Sequence, residues 1–145
     1  MAPHEIDHFP PALALSVRRI DGYAVVTISG EIDIARAPAL REQLIGLLRP
    51  GASRLVVDLS GVTFCDASGL AVLVGVARRV GLLGGVLRLA APTPLVSTVL
   101  RLTGLDSRFE IFVGVPEAIG APTRSGVRDA GESASRCNVQ AAALL

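Results

Sequence analysis

The chain is predicted to be an α/β protein with a mixed β-sheet covered by helices, and three features of its sequence point there. Asp21-Gly22, a hairpin signal, sits between two apolar strand-like runs. Helical and strand periodicities then alternate several times, which calls for a parallel portion with helices packed over it. The 145 residues suit one core with short tails.

In order, residues 1–11 read as an N-terminal arm and residues 12–120 as the folded domain. Strands are expected at Ala12–Val17 and Tyr23–Ile28, paired antiparallel through the Asp21-Gly22 turn. After Gly30-Glu31-Ile32-Asp33, the apolar positions Ala37, Leu40, Leu44, Leu47 and Leu48 recur at helical spacing until Pro50-Gly51 stops them. Leu55–Leu59 is a buried strand, and a second helix runs from about Ser68 to Val80. Val86–Ala90 is a strand, Pro94–Leu102 a helix ended by Gly104, and Ile111–Val113 with a turn at Pro116–Ile119 closes the domain. From Ala121 to Leu145 the periodicity is lost among Gly, Ser, Arg and Asp, a composition expected to stay disordered.

Composition narrows the function. A formal net charge of +1 offers no basic field for nucleic acid, and the rings of Phe9, Tyr23, Phe64, Phe109 and Phe112 are too few for a stacking platform. Mean hydropathy is high at +0.54. Yet the stretches Asp66–Arg78, Arg79–Arg88 and Arg88–Arg101 all fall short of the roughly 20 apolar residues that a spanning helix needs. The N-terminus, with His4, Glu5 and Asp7, is not built as a secretion signal, so no membrane contact and a cytoplasmic location are expected. Cys65 and Cys137 are too few and too far apart for a disulfide framework or metal cluster, and no cofactor or metal is expected.

The most informative stretch is Val56 to Leu73, where an apolar strand runs through Asp66-Ala67-Ser68-Gly69 straight into an apolar helix. Ser68 then stands at a helix N-terminus, where unpartnered N–H groups and the macrodipole favour a capping oxygen, a carboxylate or a phosphate. Helix capping is the ordinary role of such a serine. This run resembles the signature of the STAS family, an apolar strand followed by Asp-Ser-Ser-Gly-Leu opening a helix, and Gly30-Glu31-Ile32-Asp33 resembles the family's Gly-Glu-Leu-Asp landmark. The likeness covers about residues 12–118.

The resemblance implies a STAS-like sheet and a non-enzymatic role. The simplest STAS proteins are bacterial anti-sigma factor antagonists, which bind an anti-sigma factor with serine-kinase activity, free a sigma factor, and are shut off by phosphorylation. It also carries Asp33 and Asp66 over as interface residues. The family's acceptor serine follows the aspartate directly, and here that position is Ala67, with Ser68 one place on. A one-residue shift turns a side chain by about 100° on a helix. Three readings stay open: Ser68 is an alternative acceptor, the protein is a permanently unphosphorylated antagonist, or it answers to another regulator. A ligand- or nucleotide-sensing STAS scaffold is the alternative within binding modules.

On a helical wheel, Leu70, Leu73, Val74 and Ala77 form one core-facing stripe of the second helix, while Val72, Gly75, Val76 and Arg79 fall on another side. That second side is apolar too. A helix apolar all round is either deeply buried or covers a partner, so Val72, Gly75 and Val76 join Asp33, Asp66 and Ser68 as candidate partner-binding residues.

Other signals are weaker. His4-Glu5-Ile6-Asp7-His8 matches the H-E-x-x-H zinc-protease string, but it runs at once into Phe9-Pro10-Pro11, and the chain has no third histidine. A small serine hydrolase would need a G-x-S-x-G elbow and a histidine base in the folded body. Gly81-Leu82-Leu83-Gly84-Gly85 precedes a strand and lacks phosphate-loop spacing, so it reads as a turn. Cys65 beside Asp66 is a redox sensor if the helix terminus stabilises its thiolate, and otherwise a small buried hydrophobe.

Overall fold

A computed structural model describes residues 13–122. Five strands form one sheet in chain order: β1 (Leu13–Ile20), β2 (Tyr23–Ile32), β3 (Arg54–Cys65), β4 (Val86–Ala90) and β5 (Glu110–Phe112). β1 pairs antiparallel with β2 and every other pair is parallel, which is the mixed sheet expected. The hairpin is a two-residue loop, since Ile20 pairs with Tyr23 and both Asp21 (φ 50°) and Gly22 (φ 85°) take positive φ. That backbone twists with the strands it joins, which explains the Asp-Gly choice.

Four helices follow: α1 (Ala37–Ile45), α2 (Ala67–Leu82), α3 (Pro94–Leu102) and α4 (Val115–Gly120). Each parallel crossover carries one of α1 to α3, and their buried residues share the main core with Ala24, Val26, Ile28, Leu55, Val57, Leu59 and Leu89. Each large aliphatic side chain buried there is worth about 1.5–3 kcal/mol. The opposite pleat of the same strands, Tyr23, Val25, Val56 and Ala90, forms a second, smaller cluster under α4. Strand alternation thus feeds two cores of unequal size.

Several boundaries differ from expectation. Gly30-Glu31-Ile32 belongs to β2, and Gly61 to Cys65 belongs to β3. Those ends pair past register shifts at Thr27/Ser29 and Gly30/Glu31, irregularities that residue preferences do not announce. The Pro116–Ile119 turn is part of α4, with Pro116 in the first turn, where a missing N–H costs nothing. Ala121 and Pro122, assigned to the tail, accept hydrogen bonds from Arg88 and so belong with the domain. The His4–His8 string, Cys137 and the stretch 123–145 lie outside the described residues. Among the described residues no helix is long and apolar enough to cross a membrane.

Candidate functional site

The two sequence landmarks meet at one end of the sheet. β2 and β3 run parallel with Glu31 opposite Phe64 and Ile32 opposite Cys65, so Asp33 and Asp66 leave neighbouring strands at the same level. The Asp66 N–H donates to the Ile32 carbonyl (3.2 Å), fastening the start of α2 to the end of β2.

Asp66 is the cap of α2. Its backbone is extended (φ −100°, ψ −170°), and its Oδ1 accepts from the N–H groups of Ser68 (2.8 Å) and Gly69 (3.2 Å). This corrects the expectation that Ser68 caps the helix. Ser68 lies inside the first turn, and a side-chain cap acts from the extended residue before the turn. Gly69 is fixed by close approach, because a Cβ there would stand 2.6 Å from Cys65 Sγ and 2.7 Å from Ile32 Cγ2. Leu70 is buried. Of the run Asp66-Ala67-Ser68-Gly69-Leu70, three residues build the junction, while Ala67 is exposed and Ser68 half-buried.

Asp33 serves the start of α1. Its carbonyl accepts from the Arg36 N–H (3.1 Å) and the Ala37 N–H (2.9 Å), and its Oδ1 from the Arg36 N–H (3.0 Å). Its Oδ2 holds the Arg36 guanidinium at 2.6 Å. The carboxylate of Asp33 is therefore engaged locally, while the loop it shapes sits beside the α2 cap.

The expected outer side of α2 is rotated. Val72 is 5% exposed and Val76 0%, so both lie in the main core and do not present themselves to a partner. α2 is covered by the sheet on one side and by α1 on another, so the buried sector is wider than a two-layer wheel allows. Gly75 is half-buried at the seam with α1, where an added Cβ would come 3.7 Å from Arg41 Nε. The outward stripe is instead Ala67, Ala71 and Arg78, continuing to Leu82.

Cys65 is 5% exposed, and its thiol is pushed up from 9.0 to about 11, first by burial and then by the neighbouring Asp66 carboxylate. A thiolate is disfavoured there, so Cys65 is a buried hydrophobe and the redox-sensor reading falls. Ile34 (74% exposed) and Phe64 (43%) were not singled out from the sequence. They flank the paired acids, and the signal available was large apolar residues placed where strands end and turns begin. Between β1 and α1, a groove of about 280 Å³ is lined by Leu13, Leu15, Ala39 and Leu40. It lies at the lower margin of ligand-pocket size.

The sequence profile of the STAS domain matches residues 14–118. The chain belongs to the STAS domain family. The anti-sigma-F factor antagonist RsfB of Mycobacterium tuberculosis is 31% identical over 112 residues, covering 76% of this chain and 89% of that protein. An anti-sigma-B factor antagonist of Bacillus subtilis is 35% identical over 97 residues, covering 67% of this chain and 88% of the relative. The crystal structure of an anti-sigma factor antagonist from Mycobacterium paratuberculosis superposes with a TM-score of 0.68 at 33% identity, covering 76% of this chain and 93% of that one. In this STAS domain the junction of β3 and α2 reads Asp66-Ala67-Ser68-Gly69-Leu70.

Proposed function

We propose that this STAS domain is an anti-sigma factor antagonist that binds a kinase-type anti-sigma factor, releases a sigma factor, and works without the usual serine switch. The supporting observation is the division of labour in the first turn of α2: Asp66, Gly69 and Leu70 are committed to structure, and only Ala67 and Ser68 face outward. The position that carries the family's acceptor hydroxyl is open to solvent here and bears a methyl group.

The contact surface is the strand end bearing Asp33, Ile34, Phe64, Asp66, Ala67 and Ser68, continued along Ala71 of α2 with Gly75 at its edge. A phosphate placed on this turn finds the Ser68 and Gly69 N–H groups already taken by Asp66 Oδ1. It would stand in the interface beside a carboxylate, where phosphate disrupts. Moving a partner from mostly bound to mostly free takes about 5.5 kcal/mol, within reach of a dianion desolvated against apolar surface.

The test combines the full chain with its anti-sigma factor, with and without ATP. Wild type is expected to bind equally in both and to show no added phosphate by mass spectrometry. Ala67→Ser should gain a phosphate and bind only without ATP, and Ser68→Asp should weaken binding throughout. Stoichiometric phosphate on wild-type Ser68 would overturn the unregulated reading, and unchanged affinity in Ser68→Asp would remove the interface.

A further inference from the structure

The second face of the sheet is closed by α4, six residues long, and the two residues after it. A helix this short does not hold itself together in water. Only Ala118 within it is fully buried, and no side chain caps its start. Its far end is held by Arg88, an arginine in the middle of the otherwise apolar β4 and only 1% exposed.

Arg88 Nη1 donates to the carbonyls of Ala118 (2.6 Å) and Ala121 (3.0 Å), and Nη2 to that of Pro122 (2.7 Å). The guanidinium is fixed from behind by Glu110 Oε1, 2.9 Å from Nε, and by Tyr23 Oη, 2.8 Å from Nη1. It sits between two rings, 5.6 Å from the centroid of Tyr23 and 5.4 Å from that of Phe112. One side chain rooted in an inner strand thus gathers three carbonyls at the end of α4, those of buried Ala118, half-buried Ala121 and exposed Pro122.

We propose that α4 with Ala121 and Pro122 is a strap pinned by Arg88, which opens as a unit about Val113–Gly114 while the helical face of the domain stays folded. Opening uncovers the apolar sheet strip of Tyr23, Val25, Val56 and Ala90. The two faces share no side chains, because strand alternation sends Leu55, Val57 and Leu89 to one core and Val56 and Arg88 to the other. The strap is independent of the anti-sigma reading, since α4 and α2 pack on opposite faces of the sheet.

Native-state hydrogen exchange on the full chain tests this. In wild type the Ala118 and Ala121 amides, bonded to the Gly114 and Glu117 carbonyls, are expected to exchange through an opening that leaves the Val26 and Val57 amides protected. Arg88→Met/Glu110→Leu removes both members of the Arg88–Glu110 ion pair together. It should speed exchange at Ala118 and Ala121 by about tenfold or more and leave Leu73 unchanged. Arg88→Lys should fall between, because an ammonium cannot span Glu110 and three carbonyls as the planar fork does. Strap amides of the wild type exchanging in step with Val26 and Val57 would overturn the proposal, and so would unchanged strap exchange in the double variant. Should the double variant fail to fold, the wild-type profile decides alone.

Discussion

Cys65 closes β3 with its thiol in the main core, beside the carboxylate that caps α2, and this gives the fold a pH limit. An unfolded thiol ionises near 9.0, and burial pushes the folded one up to about 11. The folded state holds its proton longer, so the contribution is complete below pH 9.0 and is lost as pH rises toward about 11. In a Cys137→Ser background, the urea midpoint is expected to fall across that window, and Cys65→Ala should flatten the fall. Equal slopes in the two proteins would mean the thiol ionises freely. At this scale the sequence named the right junction and gave one role to the wrong residue. Asp66 and Ser68 are both good capping types, and the choice between them turns on which one has extended backbone. Asp33 was legible as a landmark, while its grip on Arg36 needed the turn before α1 to be seen.

α2 shows what periodicity carries and what it leaves out. Its existence, its start near residue 67 and the burial of Leu70 and Leu73 follow from apolar spacing. Its rotation does not, because Val72, Val74 and Val76 are equally apolar, and burial by α1 is a tertiary fact. Ala67, Ala71 and Gly75 are small enough to suit either a covered or an open face. Val72→Glu is now expected to unfold the protein, since it forces an unpaired carboxylate into the core at a cost of several kcal/mol. Ala71→Glu, one residue away on the exposed stripe, should leave the melting temperature within a few degrees and weaken binding to the anti-sigma factor. Circular dichroism melts and a binding titration on both variants check the pair. A folded Val72→Glu would return that residue to the surface.

While its strand order carries no local mark, the whole sheet was legible in its mixed sense, a hairpin followed by a parallel portion, because the hairpin turn and the alternation of periods are local signals. The unequal closing of its two faces was not. A single arginine in Val86-Leu87-Arg88-Leu89-Ala90 looks like an interruption of a strand, and only the fold places three carbonyls and a glutamate around it. That arrangement makes Ala121 and Pro122 part of the fold. Removing residues 123–145 keeps every acceptor of Arg88, so a chain ending at Pro122 should melt within about two degrees of the full chain. A chain ending at Gly114 loses α4 and all three carbonyls, leaving the guanidinium with Glu110 and Tyr23 and the Val25–Val56 strip bare. Losing hydrogen bonds to a charged group, at about 1.5–3 kcal/mol each, lowers the melting temperature of a domain of this size by more than about ten degrees. The shortened protein should still fold and keep the far-ultraviolet signature of α1 to α3, because their core lies on the other side of the sheet. A chain ending at Pro122 that melts far below the full chain would place part of 123–145 in the fold. Loss of all structure on ending at Gly114 would make α4 part of the one cooperative unit and contradict its separate opening.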